Sequence, residues 1–368
     1  MIVRRAVALV GLAIALGATA CAYEEGQVGG SAQSDLGALP RRRVTVLADT
    51  CVLDNAQRST LARRETRRVV SEILVLCLVP QADGSVAPAD PSGRAALQAL
   101  TSDLHALGYQ VSYGVAFTDE SGQRFDGQQT AGWLSKPEWR ASVVTAVEQA
   151  SRGADGVDLN LEKLPDGART SLTAFAQELG RAVRGTRRLS VFVPPSVATP
   201  SDLPGGEAYD VPALAQAADR LRVMTLDFSD RDPGPTIDPG WAVDAVRLAR
   251  ARSGSVPIDV AYPLYGAEFG PRGVRGLGYL EARGIAATYD ATIVRSPTGV
   301  PFFGYTSVEG ERRAVWFDDT ESTLRALRGW SGGVVEDDVG LPLGISEVPA
   351  GHDLFRLQLA VDTTVPLL

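Results

Sequence analysis

Short apolar segments alternate with amphipathic helical patterns from residue 43 onward, and this alternation restricts the fold more than any other feature. Eight of these segments are rich in β-branched residues and bounded by Gly, Pro or Asp, as strands buried in a parallel sheet are. They span residues 44–47, 73–79, 111–115, 156–162, 189–193, 221–228, 256–262 and 332–335. Apolar residues three and four positions apart at 141–150, 172–184 and 242–252 predict helices between them.

Repeated strand–helix units of this kind predict an α/β protein with a parallel sheet covered by helices. Eight strands in roughly 300 residues fit a (β/α)8 TIM barrel better than an open sheet, and no G-x-G-x-x-G follows the first strand. One interval, 265–317, lacks a long helical pattern, and residues 287–295 and 301–317 resemble short antiparallel strands around turns. We therefore expect a small α+β insertion in the loop after strand 7, at the rim where barrel active sites lie.

The scarcity of three residue types disfavours most familiar catalytic groups. The chain has two His and three Cys, and its only lysines are Lys136 and Lys163. Two separated His residues without a Cys-x-x-Cys pair disfavour a zinc site, and we expect neither a metal nor a cofactor. With 44 acidic against 36 basic residues, the net charge of −8 also argues against nucleic acid as a partner. Carboxylates are therefore expected to carry the chemistry.

The N-terminus has the pattern of an export signal. Two Arg residues precede an apolar stretch and small residues, so residues 1–20 are predicted to be a signal peptide. The Ala-Thr-Ala-Cys sequence that ends at Cys21 resembles a bacterial lipobox, which implies a lipid anchor on Cys21; a plain signal peptide is the alternative. Residues 21–42 are then predicted to form a flexible tether, and residues 43–368 are predicted to form the barrel. The predicted location is the bacterial cell envelope, on its periplasmic or extracellular face, or otherwise secreted.

Cys51 and Cys77 have two interpretations. In an oxidising compartment a disulfide between them is permitted. Cys77 also lies inside the apolar run Ile-Leu-Val-Leu-Cys-Leu-Val, and thiols are often buried in such surroundings. Both the bridge and two buried thiols stay open at this point.

One segment, residues 155–162 (DGVDLNLE), concentrates acidic and amide side chains on a predicted strand. Because strand side chains alternate, Asp158, Asn160 and Glu162 share one face and the intervening Val and Leu residues share the other. We expect the apolar face to pack on helices, which places the polar three inside the barrel and Asp155 at the strand entrance. Enclosed carboxyl groups share protons, which raises one pKa toward the range of a general acid. Glu162, nearest the C-terminal end, is the best placed to meet a substrate.

The spacing of this segment resembles the DxxDxDxE signature of glycoside hydrolase family 18, the chitinase-like barrels that include spore-germination-type glycosidases. Other segments resemble further parts of that family in the same order: its second strand and turn, its MxYD strand with the following loop, its seventh strand and a late segment. These are residues 73–88, 223–227 with 233–235, 260–266 and 314–319. The resemblance covers most of the chain after residue 43 and implies the barrel predicted above.

The family resemblance implies substrate-assisted, retaining hydrolysis of β-glycosidic bonds in N-acetylglucosamine-containing glycan, such as chitin oligomers, peptidoglycan or N-glycans. Glu162 would protonate the glycosidic oxygen and later act as base, Asp158 would tune the charge, and Asn160 would orient the acetamido group. Further residues are candidates for binding or stacking on the sugar chain: Asp155, Met224, Leu226, Asp227, Phe228, Tyr262, Tyr265, Trp316 and Glu336. We expect a monomer.

Three positions depart from the family pattern. Asn160 stands where the family has Asp, Leu226 replaces the Tyr of MxYD, and Glu336 falls where the last strand normally offers a Trp. An amide still orients an acetamido group, and some endo-β-N-acetylglucosaminidases of another family resemble this chain in using an Asn-x-Glu pair. Losing one donor aimed at developing charge typically costs about 100–1000-fold in rate. The alternatives are therefore a glycosidase, a glycan-binding lectin-like barrel, and an interaction protein with a relic motif.

Overall fold

The structure of the protein is a computed structural model. It describes residues 44–48, 53, 55–88, 93–116, 126–197, 206–319, 321–323 and 358–362. All of them belong to one compact unit, residues 41–368. The predicted signal peptide (1–20), the predicted tether (21–42) and the predicted strand 332–335 lie outside the described residues.

Seven parallel strands form most of the barrel wall. The strands up to this point of the chain are β1 (Val44–Ala48), β2 (Val70–Pro80), β3 (Val86–Pro88), β4 (Gln110–Ala116), β5 (Gly156–Asn160), β6 (Arg188–Val193), β7 (Arg220–Met224) and β8 (Ile258–Pro263). Short β3 pairs antiparallel with the end of β2. The other seven are neighbours in the order β1, β2, β4, β5, β6, β7, β8, each pair parallel.

Helices lie between the strands, as predicted. They are α1 (Asn55–Ala62), α2 (Arg64–Val69), α3 (Gly93–Ala106), α4 (Gly127–Leu134), α5 (Pro137–Ala150), α6 (Arg169–Val183), α7 (Val211–Ala217), α8 (Pro239–Ser253) and α9 (Tyr279–Thr288). The three helices predicted from apolar spacing, α5, α6 and α8, all begin three or four residues earlier than predicted. In α5 and α8 the first helical position is Pro137 or Pro239, and proline is well tolerated there. No helix within the described ranges is long and apolar enough to span a membrane.

The predicted insertion follows β8 and contains a five-stranded antiparallel sheet with helix α9. Its strands are β9 (Gly266–Gly270), β10 (Gly273–Leu277), β11 (Val294–Arg295), β12 (Pro301–Thr306) and β13 (Arg312–Trp316). The prediction of a strand over 287–295 is wrong for its first part, because α9 reaches Thr288. This helix is stabilised by Ala282 and Ala286, which lie four residues apart and are buried in one cluster with Phe303 and Phe317.

An antiparallel strand, β14 (Gln358–Asp362), occupies the eighth place in the wall. It pairs with β8 on one side and with β1 on the other, and the parallel pairing of β1 with β2 completes the ring. The predicted (β/α)8 TIM barrel with an insertion after strand 7 is confirmed. It differs from the expectation in that the described strand in the eighth place is antiparallel to its neighbours.

The interior of the barrel contains two kinds of buried side chain. One is an apolar cluster of Leu47, Leu74, Phe192, Leu226 and Ala261. The other is a set of charged residues, each at most 1% exposed: Glu72, Asp158, Arg222 and Asp259. Barrel interiors are dominated by bulky branched apolar side chains, so the buried charges are a distinctive feature of this chain.

Candidate active site

Strand β5 carries the acidic motif and ends at Asn160, two residues before the predicted end, so Glu162 lies in the loop at the C-terminal rim. The strand stops there because its pairing with β6 ends at Leu159 and its pairing with β4 ends at Asn160. Val157 and Leu159 are buried in the core that also contains helix side chains, as the alternation predicts. On the opposite face, Asp158 is 0% exposed and Asn160 is 2% exposed.

Glu162 is half-buried, and the pKa of its carboxyl group is raised to about 7. Loss of hydration is the largest cause, and the negative charge of Asp227 adds to it. A hydrogen bond from the Asn160 amide and the positive charge of Lys163 act against this shift by lowering the pKa. A carboxyl group in this range donates a proton near neutral pH and accepts one after releasing it, as a general acid and base must.

The loop that carries Glu162 is held from two sides. The Tyr209 hydroxyl, in the loop before α7, donates a hydrogen bond to the backbone carbonyl of Leu161. On another side α4 begins at Gly127, where a Cβ atom would lie only 1.8 Å from the carbonyl oxygen of Lys163. Only glycine permits this close approach of two backbones, and the contact limits the freedom of the loop.

Asp227 lies in the loop after β7, close enough to Glu162 to raise the pKa of that residue. The Tyr265 hydroxyl, just before the insertion, donates a hydrogen bond to Asp227 Oδ1 at 2.6 Å. The pKa of Asp227 is itself raised, chiefly by loss of hydration, with Tyr265 and Lys163 acting against the shift and Asp230 adding to it. Two carboxyl groups, a phenol and an ammonium group therefore interact at the C-terminal rim.

Three rim loops share a strained backbone conformation. Lys163, Ser196 and Asp227 have φ angles of 56°, 54° and 53°. Each is the third residue after the end of its strand, β5, β6 and β7 respectively. For a residue with a side chain this left-handed conformation costs about 1–2 kcal/mol, and such strain clusters at functional sites. The feature supports the rim above β5, β6 and β7 as the candidate active site.

Below this rim, Arg222 joins three buried carboxylates inside the barrel. Its guanidinium nitrogens lie 2.8 Å from Asp158, 3.5 Å from Asp259 and 3.7 Å from Glu72. Ser190 donates a hydrogen bond to Asp158. Burial raises the pKa of Asp158, whereas the charge of Arg222 and the Ser190 hydroxyl lower it. The Arg222 cation therefore compensates the carboxylate that lies on the same strand face as Asn160.

The motif-based prediction does not include Arg222 among the site residues. The alternation along β7 is the signal that indicates it, because Leu221 and Val223 are buried in the outer core and leave Arg222 on the interior face. Its acidic neighbours Glu72 and Asp259 come from β2 and β8, far away in sequence. No local pattern brings these residues together.

Three of the predicted sugar-binding residues are packed against the barrel wall, Tyr262 in the outer core, and Leu226 and Met224 at the apolar cluster of the interior. Tyr262 is 0% exposed, and its hydroxyl donates a hydrogen bond to Asp318 at 2.7 Å. Leu226 is 5% exposed in the apolar cluster of the barrel interior, and Met224 packs against that cluster while partly buried. Tyr262 thus connects the barrel to the residue that follows the insertion, and glycan contact by these three side chains stays a prediction.

Two predicted stacking residues present partly buried rings. Phe228 packs on Trp241 with ring centroids 5.3 Å apart. Trp316 stacks on Phe302 with centroids 4.3 Å apart and an angle of 9° between the planes. This pair lies on the face of the insertion sheet opposite Phe303, whose side chain packs with α9. Aromatic rings of this kind offer a face to a sugar ring, and the stacking role stays a prediction.

Asp155 lies at the opposite end of β5 from Glu162. Its carboxylate accepts a hydrogen bond from the Val111 backbone N–H at 2.8 Å and contacts His105 Nε2 at the same distance. This position is the strand entrance that the alternation predicts. The contacts indicate a structural role, and a part in substrate binding stays a prediction.

The remaining predictions concern cysteines, Glu336 and metals. Cys77 is 1% exposed in the outer core, whereas Cys21, Cys51 and Glu336 lie outside the described residues. The disulfide, the lipidation and the role of Glu336 therefore stay predictions. In the part of the chain that the structure describes, no group of three or more His, Cys, Asp or Glu side chains is arranged to hold a metal ion.

Comparison with known proteins shows which family the chain is similar to. The family described as Glycosyl hydrolases family 18 matches residues 127–320, more than half of the chain. A protein of Bacillus subtilis (strain 168) that carries the name sporulation-specific glycosylase YdhD is 26% identical over 206 residues. The match covers 53% of this chain and 49% of that protein, so the chain spans about half the length of this relative.

Two solved structures share the fold. A chitinase from Chromobacterium violaceum ATCC 12472 matches with a TM-score of 0.65 and 23% identity, over 75% of this chain and 87% of that one. The Bacillus cereus spore cortex-lytic enzyme SleL matches with a TM-score of 0.66 and 16% identity, over 85% of this chain and 77% of that one. These likenesses establish the fold, whereas the family match spans β5, the rim loops and the insertion. The chain belongs to glycosyl hydrolases family 18.

Proposed function

We propose that the protein hydrolyses β-glycosidic bonds in N-acetylglucosamine-containing glycan, with Glu162 as general acid and then base. The observation that carries the proposal is the Asn160–Glu162 pair, in which a carboxyl group with a pKa of about 7 adjoins a buried amide. Its place at the C-terminal rim of the barrel and the family of the chain support the same class of reaction.

In the proposed reaction the substrate supplies the nucleophile. Glu162 transfers its proton to the glycosidic oxygen while the acetamido oxygen of the same sugar attacks the anomeric carbon. The bond to the leaving sugar breaks, and an oxazolinium ion forms. A water molecule then attacks the anomeric carbon from the vacated side, and Glu162 takes one of its protons. The acetamido group is regenerated, and the anomeric configuration is retained.

Asn160 is suited to orient the acetamido group. Its side-chain nitrogen donates a hydrogen bond to Glu162, whereas its buried Oδ1 accepts none from any residue that the structure describes. An unpaired buried acceptor costs about 1–3 kcal/mol, and the N–H of an acetamido group would satisfy it. Because the amide carries no charge, it stabilises the oxazolinium ion less than a carboxylate would, and we expect slow turnover.

Asp227 and Tyr265 complete the proposed site by binding hydroxyl groups of the sugar beside the cleaved bond. Burial raises the pKa of Tyr265 well above its usual range, so the phenol keeps its proton and its hydrogen bond to Asp227. One oxygen of the Asp227 carboxyl group is thereby fixed. Carboxylate oxygens accept hydrogen bonds from hydroxyl groups, so Asp227 is suited to bind a sugar hydroxyl.

A glycan-binding barrel without turnover is the second candidate. It is favoured by the neutral Asn160 and by Leu226, which puts a buried apolar side chain where the family has a tyrosine hydroxyl. Both candidates use the same rim and the same class of glycan. They differ in whether the glycosidic bond is cleaved.

We also propose that the protein is exported and lipid-anchored through Cys21, and that it acts as a monomer at the bacterial cell envelope. The support is the basic, apolar and small-residue pattern of residues 1–21. An anchor would hold the barrel within reach of envelope glycan. Cys21→Ala should move the protein from the membrane fraction to the soluble fraction after export, and an unchanged distribution would contradict the anchor.

Hydrolysis of 4-methylumbelliferyl chitobioside and of purified peptidoglycan separates the two candidates. Glu162→Gln should reduce kcat by at least about 100-fold, because an amide cannot deliver the proton. Asn160→Asp restores a negative charge beside the reacting group and should raise kcat by about 10- to 100-fold. Glu148→Gln is the matched control, since Glu148 pairs with Arg152 and Arg187 near the end of α5.

The outcomes are distinct. Loss of activity in Glu162→Gln together with normal activity in Glu148→Gln supports the hydrolase. Equal rates for wild type and Glu162→Gln contradict it. Glycan binding without turnover in the wild type establishes the glycan-binding barrel.

A further inference from the structure

Lys163 is a charged rim residue that the proposed reaction does not use. It directly follows Glu162, its side chain is exposed, and it is one of two lysines in a chain whose other basic residues are almost all arginines. Its φ of 56° is a conformation that glycine adopts more readily than any residue with a side chain. A side chain at such a position suggests a role for its ammonium group.

Helix α4 holds the backbone of Lys163 in this conformation. The first residue of the helix, Gly127, approaches the Lys163 carbonyl so closely that a Cβ atom would lie 1.8 Å from its oxygen. This contact involves backbone atoms only, so it sets the direction in which the lysine side chain leaves the loop. The side chain therefore starts from a fixed backbone position directly after Glu162.

The charge of Lys163 has no ion-pair partner among the residues that the structure describes. It nevertheless acts on both rim carboxyl groups, because it lowers the pKa of Glu162 and that of Asp227. Many described arginines are neutralised in ion pairs, as Arg140 is by Glu178. The Lys163 ammonium group is thus available to a negative group on a ligand.

The charges that interact with one another beside Lys163 are those of carboxyl groups. Glu162, Asp227 and Asp230 would repel a carboxylate on a glycan unless a cation lies nearby. When Glu162 carries the proton that catalysis needs, its side chain is neutral. The protonated Glu162 then does not compete with a ligand for the positive charge of Lys163. An anionic sugar is therefore attracted most strongly by the acid form of the site.

We propose that Lys163 determines specificity by binding a carboxylate on the sugar next to the scissile bond. The inference rests on the proposed function and narrows its substrate to acidic glycans in which N-acetylglucosamine alternates with a carboxylated sugar. The carboxylate is either a lactyl ether group, as in peptide-free peptidoglycan strands, or a uronate, as in hyaluronan. An ammonium group with three donors suits both, and neutral chitin oligomers offer neither.

The kinetic test compares kcat/KM for three substrates: chitotetraose, peptide-free peptidoglycan strands and hyaluronan. Lys163→Gln should reduce the ratio of acidic to neutral kcat/KM by about fivefold, the effect of one partly exposed ion pair. Lys163→Arg should restore most of that ratio, and added salt should lower it in the wild type. Lys136→Gln removes the only other lysine, an exposed residue before α5, and should leave the ratio unchanged.

A binding test does not depend on turnover. Reductive methylation with ¹³C-formaldehyde labels both lysines and the N-terminus, and it keeps their positive charge. The ¹³C NMR spectrum of labelled Glu162→Gln is compared with that of the double variant Glu162→Gln/Lys163→Gln. The methyl signal that the double variant lacks is assigned to Lys163. That signal should shift when peptide-free peptidoglycan oligomers or hyaluronan oligomers are added, but not with chitotetraose or with peptide-substituted strands, whose lactyl group is an amide.

The two proposals fail in different ways. Hydrolysis with an unchanged acidic-to-neutral ratio in Lys163→Gln overturns the role of Lys163 and leaves the glycosidase intact. A Lys163 signal that shifts equally with neutral and acidic oligomers also overturns it. Absence of hydrolysis together with a selective shift by acidic oligomers overturns the glycosidase and supports the lysine site. The acidic oligomer that gives the shift identifies the lactyl or the uronate source.

Discussion

The proton affinity of Glu162 depends on its neighbours as well as on its burial. Asp227 raises its pKa, whereas the Asn160 amide and Lys163 lower it. Asn160 lies on β5 and Lys163 in the loop that follows it, whereas Asp227 comes from the loop after β7. A change in any of them moves the pH range in which Glu162 donates a proton.

Hydrolysis should therefore decline as the pH rises above about 7, where Glu162 loses the proton that it must donate. Lys163→Gln removes a positive charge that stabilises the carboxylate, so the pKa rises and the alkaline limb of kcat moves to higher pH. Asp227→Asn removes a negative charge and moves the limb to lower pH. The profile of kcat against pH for a soluble fluorogenic substrate checks both directions, and limbs that coincide in all three proteins would contradict this electrostatic account.

At the scale of elements, three consecutive strands end in the same way. β5, β6 and β7 are each followed, at the third residue, by a left-handed residue that is not glycine. The sharp turn at each of these residues leads the chain away from the strand at the rim. Lys163 and Asp227 carry charge into the site from these turns, whereas Ser196 carries the same strain without a charge.

Replacing Ser196 by glycine should raise the free energy of unfolding by about 0.5–1 kcal/mol, because glycine adopts φ near 54° without steric cost. Ser135→Gly is the matched control. Ser135 has a right-handed φ of −67°, so glycine there should lower the free energy of unfolding by about 0.5–1 kcal/mol. Urea denaturation measures both, and a loss of stability at both positions would show that Ser196 is unstrained.

At the scale of the whole molecule, the barrel interior depends on an ion cluster whose members come from four strands. Arg222 of β7 is 0% exposed and lies within 3.7 Å of carboxylates from β2, β5 and β8. Thr45 donates a further hydrogen bond to Glu72 at 3.0 Å and adds β1 to the network. The cluster therefore connects strands on opposite sides of the barrel.

Arg222→Met should lower the free energy of unfolding by about 3–5 kcal/mol near neutral pH, because it removes the cation shared by three buried carboxyl groups, of which Asp259 keeps another arginine, Arg220. Those groups then have higher pKa values in the folded than in the unfolded chain, so the folded variant binds protons more tightly and loses stability as the pH rises. The deficit should consequently be smaller in mildly acidic than in alkaline buffer. Urea unfolding at several pH values measures it, with Arg222→Lys, which keeps the charge, as control.

Alternation along residues 155–162 was sufficient to predict which side chains of β5 face the barrel interior and which pack on helices. The same reasoning placed Glu162 inside the strand, where it does not lie, because strand ends depend on where the partner strands stop pairing. Residues 287–295 were also predicted as a strand from their local residue types alone. The β-branched residues near Val294 indicate a strand, but burial of Ala282 and Ala286 against the insertion sheet favours helix up to Thr288.

Local patterns of residues are enough to predict the α/β class, the barrel, the insertion and the Asn160–Glu162 pair, because strand alternation and helix spacing depend on residues close along the chain. The antiparallel closure by β14, the ion cluster around Arg222, the pKa of Glu162 and the contact of Gly127 with Lys163 follow from the folded arrangement. Each of these depends on groups that are far apart in sequence. Their energies arise from burial and short distances that exist only once the barrel has closed.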